Sequence, residues 1–143
     1  LKNELNSRDL FHKSIISDYY LSKSLIFAEI NLPEDEFNLY NSLFSIIHQK
    51  LPKPSLYIYL YSDVDRLQIN IKARGRAYEM EIKDSYLAQI QESYLLFINQ
   101  QTDFPVLLLN TTKIDFVNSV SDFESIVSCL NKEYSKGVHR IML

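Results

Sequence analysis

Glycine is the scarcest informative residue: two in 143, Gly75 and Gly137, where an average protein has about 7%. A loop that wraps a phosphate with successive backbone N–H groups needs closely spaced glycines, and no G-x-x-x-x-G-K-[ST] occurs in the chain. A single cysteine, Cys129, excludes a disulfide framework and fits a reducing compartment. His12, His48 and His139 have no ligand spacing among themselves or with Cys129, so no zinc site is expected. No serine sits in a G-x-S-x-G turn, which removes that route to a nucleophile. No apolar run approaches the roughly 18–20 residues of a membrane span, and no signal peptide is visible. The formal net charge of -3 argues against a general nucleic-acid binder. Repeats and low-complexity tracts are absent. The expectation is a soluble, cytoplasmic protein.

What is present builds a core. Apolar residues make up 46% of the chain, and a chain of this size buries roughly 68–70% of its unfolded surface. One domain, residues 1–143, is the natural reading. Residues 1–9 read as the tail of a helix and residues 14–17 as a short strand on Ile15 and Ile16. Asp18 would then stand at that strand's carboxyl end, the edge where open α/β sheets bind ligands. A helix is expected over residues 20–28. Pro33 followed by Glu34, Asp35 and Glu36 opens another, with a stripe of Phe37, Tyr40, Phe44 and Ile47 running to about Lys50. The run 56–60 reads as a fully buried strand of a parallel sheet. Ser62 with Asp65 resembles a capping box for a helix carrying Val64, Leu67 and Ile71. A helix over 84–99 buries Leu87, Ile90, Tyr94, Phe97 and Ile98. Pro105–Asn110 is another buried strand, and Ser121 with Glu124 caps a helix holding Phe123, Ile126, Val127, Leu130 and Tyr134. Residues 138–143 are either a short strand or a frayed end. Strands alternating with helices predict an α/β fold with a parallel sheet and right-handed crossovers.

Several blocks carry more than secondary structure: I-S-D-Y-Y-x-x-K-S-L-I-F-A over 16–28, K-P-S-L-Y-I-Y-L over 53–60, R-G-R-x-x-E over 74–79, Tyr86-Leu87, P-V-L-L-L-N over 105–110 and I-D-F over 114–116. In order and spacing they resemble the bacterial deoxynucleoside kinases, in the deoxyguanosine/deoxyadenosine kinase branch, across about residues 14–130. A thymidylate kinase fits the R-G-R-x-x-E and I-D-F blocks less well. The resemblance implies a three-layer, P-loop-kinase-like parallel sheet with flanking helices. It would be incomplete, the C-terminal two-thirds of a domain whose N-terminal strand and P-loop are missing. A gap between the 14–17 and 56–60 strands would follow, closed by rearrangement or by a borrowed strand, because unpaired buried backbone groups cost about 1–3 kcal/mol each.

The resemblance also implies chemistry: transfer of the γ-phosphoryl group of ATP to the 5′-hydroxyl of a deoxynucleoside, deoxyguanosine or deoxyadenosine favoured, with Mg²⁺ and in a homodimer. Asp18 would be the carboxylate beside the metal ion. Arg74 and Arg76, in a lid over about 70–83, would clamp the phosphates. Glu79 would accept the sugar 3′-hydroxyl, and Asp115 and Phe116 would wrap the adenine of ATP. Many members carry Asp/Glu-Arg-Ser where this chain has Asp18-Tyr19-Tyr20. Tyr19 and Lys23 therefore stand as substrate-side candidates, with Lys23 supplying the positive charge. Asn70 occupies a position where the family often has an arginine packed on adenine. Each residue also has an ordinary reading: Asp18 as a helix cap, the arginines as part of a solvated basic patch with Arg66, Lys72 and Lys83, Glu79 as a surface glutamate, and Phe116 as a loop residue tucked into the core. A further alternative is a non-catalytic kinase remnant that dimerises or supports a fused enzyme.

Overall fold

Val106, Leu107, Leu108 and Leu109 are all buried, and a run closed to water on both faces is what the middle strand of a covered parallel sheet requires. The computed structural model describes residues 15–143. They fall into two compact units, one ending at Pro52 and one running from Lys53 to Leu143.

The first unit holds two helices, α1 (Ser22–Asn31) and α2 (Glu34–His48). Pro33 precedes α2 directly, and Glu34, Asp35 and Glu36 occupy its first turn, where the positive end of the helix dipole favours carboxylates. His48 stacks on Phe44 with ring centroids 5.3 Å apart, and its Nε2 lies 3.3 Å from the Tyr20 hydroxyl. The predicted stripe on α2 is only half-buried at Phe37, Tyr40 and Phe44, and Ile47 is 50% exposed. The expected strand over 14–17 is not formed by its described residues: 15–17 carry no regular structure, and Ile16 is 96% exposed. A strand needs a neighbour for its amides, and every ladder among the described residues is made elsewhere. Ser14 and the expected helical tail at residues 1–9 lie outside the described residues.

The second unit holds β1 (Tyr57–Tyr61), α3 (Val64–Arg74), a 3₁₀ turn (Ala77–Glu79), α4 (Asp84–Asn99), β2 (Pro105–Asn110), α5 (Val120–Leu130) and β3 (Gly137–Met142). The strands lie in the order β1-β2-β3, all parallel, with Tyr57 opposite Val106 and Tyr61 opposite Asn110. On the other side Pro105 faces Gly137 and Asn110 faces Met142. The last segment is thus a true strand rather than a frayed end. Because 15–17 form no strand, the expected gap has no counterpart among the described residues, and the three strands are contiguous.

Alternate residues of β2 serve opposite faces. Leu107 and Leu109 pack with Ile126 and Cys129, joined by Ile114, Phe116, Tyr134 and Ile141. Val106 and Leu108 face the other way, on the side where Tyr59 stacks on Tyr94 of α4 at 5.2 Å. Burial, and then the neighbouring Tyr94, push the Tyr59 hydroxyl well above the ordinary tyrosine pKa. Helices on both faces of a parallel sheet make the chain α/β, as its sequence pattern predicts. β1 is not the fully buried strand expected from Y-I-Y-L-Y. Among the described residues it is an edge strand covered on one face by α4, and Ile58 and Leu60 are 40% and 44% exposed.

Both predicted capping boxes are displaced. Asp63, not Ser62, caps α3, its Oδ1 accepting from the Arg66 N–H at 2.8 Å. Ser119, not Ser121, caps α5, its Oγ accepting from the Asp122 N–H at 3.3 Å. At the far end of α3, Gly75 takes φ +67° and returns its N–H to Ile71, the left-handed cap that a side chain disfavours. A Cβ there would meet nothing within 4 Å, so only backbone strain opposes a substitution. Gly75→Ala is therefore expected to lower stability by about 1–2 kcal/mol. Urea unfolding checks it as a shift in midpoint at unchanged slope. No helix among the described residues is long and apolar enough to cross a membrane.

Candidate functional site

α4 runs antiparallel to β1. Phe97 meets Tyr57 at 6.3 Å, Tyr94 stacks on Tyr59, and Gln91 Nε2 donates to the Ser62 carbonyl at 2.6 Å, just past the carboxyl end of β1. The part of α4 before Gln91, Asp84 to Ile90, therefore rises about 10 Å beyond the sheet at 1.5 Å per residue. Gln68 of α3 fastens the approach to α4 by donating to Ile82 O and Asp84 Oδ1, each at 2.8 Å. The R-G-R-x-x-E segment stands in this raised connection, beyond the edge where α/β sheets bind ligands.

Around Gly75 the two arginines converge on one carboxylate. Arg74 Nη2 lies 2.5 Å from Glu79 Oε2, and Arg76 Nη1 lies 3.3 Å from Glu79 Oε1. Oε2 makes an ion pair with Arg74 but no aligned hydrogen bond. The left-handed residue makes the first pairing possible, since it reverses the chain just after Arg74. Glu79 is only 9% exposed, whereas the two arginine side chains are 51% and 52% exposed. Glu79 is thus no ordinary surface glutamate. Tyr78, and after it the hydrogen bond to Glu79, hold Arg76 yet more firmly in its charged form.

The carboxyl ends of β1 and β2 are tied by hydroxyls, of which the sequence reading singled out only Ser62, as a helix cap. Ser62 Oγ and Thr111 Oγ1 lie 2.9 Å apart, Thr111 Oγ1 donates to Tyr61 O at 2.9 Å, and the Asp63 N–H donates to Thr112 Oγ1 at 3.1 Å. Ser62 and Thr111 are buried, and buried hydroxyls with partners fix the geometry around them. The available signal was small hydroxyl residues directly after two apolar runs.

The I-D-F loop leaves the same edge. Asp115 spends its carboxylate within the loop, on the N–H groups of Val117 and Asn118 and on Asn118 Nδ2. These bonds, led by the Asn118 side chain, hold it below the usual aspartate range, and Arg66 adds to the effect. The Asp115 N–H donates to Asp122 Oδ2 at 2.7 Å, and Arg66 Nη2 reaches Ile114 O at 3.4 Å. Phe116 is half-buried against the Leu107–Ile126–Cys129 cluster. Asn70 is exposed on α3, one turn beyond Arg66. The structure therefore brings Arg74, Arg76, Glu79 and the Asp115 loop to one edge of one unit.

Asp18, Tyr19 and Lys23 belong to the first unit. Asp18 and Lys23 are exposed, and Tyr19 is 39% exposed. Ser17 Oγ accepts from the Tyr19 N–H and donates to Tyr19 O, which fixes the turn that presents Asp18. Asp18 neither ends a strand nor caps α1, whose N-cap is Leu21 with no side-chain bond. No group of three or more metal-ligating side chains occurs among the described residues.

The sequence profile of the deoxynucleoside kinase family matches residues 2–134. Over 118 residues the chain is 34% identical to a deoxyguanosine kinase of Bacillus subtilis (strain 168), covering 80% of this chain and 57% of that protein. It is 25% identical over 136 residues to a deoxyadenosine kinase of Lactobacillus acidophilus, covering 85% of this chain and 63% of that one. A deoxyadenosine/deoxycytidine kinase of Bacillus subtilis is 30% identical over 94 residues, 64% of this chain and 43% of the relative. The chain thus spans between about two-fifths and two-thirds of the length of these relatives. No solved structure matches it. The R-G-R-x-x-E and I-D-F segments both lie past the carboxyl ends of the strands, and the family profile covers nearly the whole chain: the chain belongs to the deoxynucleoside kinase family.

Proposed function

We propose that the complete protein transfers the γ-phosphoryl group of ATP to the 5′-hydroxyl of a deoxynucleoside, with deoxyguanosine or deoxyadenosine preferred. Residues 1–143 are part of its single kinase domain, with a lid over about 70–83. The observation that carries this reading is the paired guanidinium groups of Arg74 and Arg76, raised beyond the carboxyl edge of the sheet and half-exposed. In-line phosphoryl transfer asks for positioning and for charge stabilisation on three equatorial oxygens rather than for covalent help. Planar guanidinium forks meet phosphate oxygens two at a time.

The other roles are those that membership of the family suggests. The nearly buried Glu79 carboxylate retains acceptor capacity for the sugar 3′-hydroxyl. The backbone of the Asp115–Phe116 loop, stiffened by the Asp115 side chain, is available to the adenine ring, with Asn70 at its side. Tyr19 and Lys23 serve the substrate end. Mg²⁺ keeps several waters and takes one or two protein carboxylates plus phosphates. A single exposed Asp18 fits that demand, and the ion, when bound, offsets phosphate charge. Purine preference is supported by the D-Y-Y-x-x-K block and by the names of the two relatives with the greatest overlap. The protein works in the cytoplasm as a homodimer.

The test is to incubate the complete protein with ATP, Mg²⁺ and each of the four deoxynucleosides. A 5′-monophosphate formed fastest from deoxyguanosine or deoxyadenosine is expected, while residues 1–143 alone give no turnover. Absence of any phosphorylated product from the complete protein would support the non-catalytic remnant instead.

A further inference from the structure

We propose that Glu79 is the internal counter-anion of the lid arginines, and that incoming phosphate oxygens compete with it for both guanidinium groups. This rests on reading Arg74 and Arg76 as the phosphate-facing pair, and it adds a positioning residue that controls them.

The geometry is asymmetric in a way that suits an exchange. Glu79 is held at both ends of its own backbone: its N–H donates to Arg76 O at 2.9 Å, and its carbonyl accepts from the Ile82 N–H at 3.1 Å. Ile82 is in turn fixed by Gln68 of α3. The carboxylate is therefore a fixed, nearly buried point. The arginines, half in water, are the mobile partners. Two guanidinium groups on either side of one residue repel each other, and one shared carboxylate between them offsets that repulsion and keeps both near the raised turn. It also leaves them only one net positive charge. An oxyanion arriving from the solvent side must draw the arginines from a partner that cannot follow. At these distances the competition is between ion pairs of similar strength, so the carboxylate lowers phosphate affinity while it organises the pair.

The test uses tripolyphosphate in magnesium-free buffer, titrated calorimetrically into the complete protein. E79Q keeps the side chain's size and removes its charge, and it is expected to bind tripolyphosphate about three- to tenfold more tightly than the natural chain. E81Q makes the same change in net charge two residues on, at an exposed position, and is expected to stay within about twofold. The gain from E79Q should vanish when R74Q and R76Q are present as well, the signature of coupling rather than of general field. E79D keeps the charge but withdraws it by one methylene, and should bind between the natural chain and E79Q. It supplies the answer if E79Q does not fold. A merely structural Glu79 would weaken binding on replacement. The proposal is overturned if E79Q binds no tighter than E81Q, if E79D binds no tighter than the natural chain, or if the gain survives loss of both arginines. Tripolyphosphate binding needs no nucleoside and no turnover. A protein that phosphorylates no deoxynucleoside would sink the proposed function while leaving this result to stand or fall alone.

Discussion

If the complete protein is the proposed kinase, replacing Arg74 and Arg76 together, R74Q/R76Q, is expected to lower kcat about a thousandfold or more while the KM for the deoxynucleoside changes less than about threefold. Each removed donor to a transition-state oxyanion typically costs about 10²–10³ in kcat, and an arginine supplied to a transferring phosphoryl group is worth about 10³–10⁵. On the proposed reading the charge these groups meet develops mainly on the way to the transition state, so the loss belongs in kcat rather than in substrate binding. Stability should fall as well: both arginine side chains are half-exposed, but the Glu79 carboxylate they share is only 9% exposed, and it is left without a charged partner. Lysine is expected to rescue poorly, because a point charge cannot reproduce the planar fork. Steady-state kinetics beside a thermal melt separate the alternatives. A solvated basic patch would leave kcat within about threefold, and a merely structural role would leave kcat per folded molecule unchanged while the melting temperature falls.

The elements legible in the sequence were those with hard ends. Pro105 and Asn110 bound an apolar run and gave β2 its exact span. Asp84 and Asn99 did the same for α4. Capping was harder, because the chain offers two acceptors at each start and tertiary contacts choose between them. Ser62 is taken by Thr111, 49 positions away, which leaves Asp63 to cap α3. β3 was ambiguous because His139 and Arg140 interrupt its apolar character. What makes G-V-H-R-I-M a strand is β2 beside it, a non-local partner that supplies six residues of register. β1 misled for the opposite reason. Its five apolar residues are continuous, yet an edge position covered on one face leaves Ile58 and Leu60 open.

The site was legible in part for the same physical reason. The spacing of Arg76 and Glu79, three residues apart, is visible in the sequence. The pairing of Arg74 with the same carboxylate needs the left-handed turn at Gly75, and the burial of Glu79 needs the whole raised connection. For Phe116 both readings of its ring were open. The structure places it half-buried on the core cluster, which agrees with a loop residue tucked into the core.

Leu107→Ala is expected to be the most damaging single truncation among the described residues, costing about 3–5 kcal/mol. Leu107 is fully buried in the central strand, with ladders on both sides that prevent the backbone from collapsing into the space left behind. Its neighbours Ile126 and Cys129 are anchored on α5, so the cavity has rigid walls on the helix side as well. Marginally stable domains hold only about 5–15 kcal/mol in total, and the midpoint of thermal unfolding should fall by on the order of 10 °C or more. Leu60→Ala supplies the comparison. The same chemical change at a side chain 44% exposed on the edge strand removes less buried area and opens no enclosed cavity, so its cost should stay near about 1 kcal/mol. Equal losses at the two positions would mean that β2 is not the strand around which Lys53–Leu143 is packed. The R-G-R turn and the I-D-F loop would then lose the rigid edge from which both are presented.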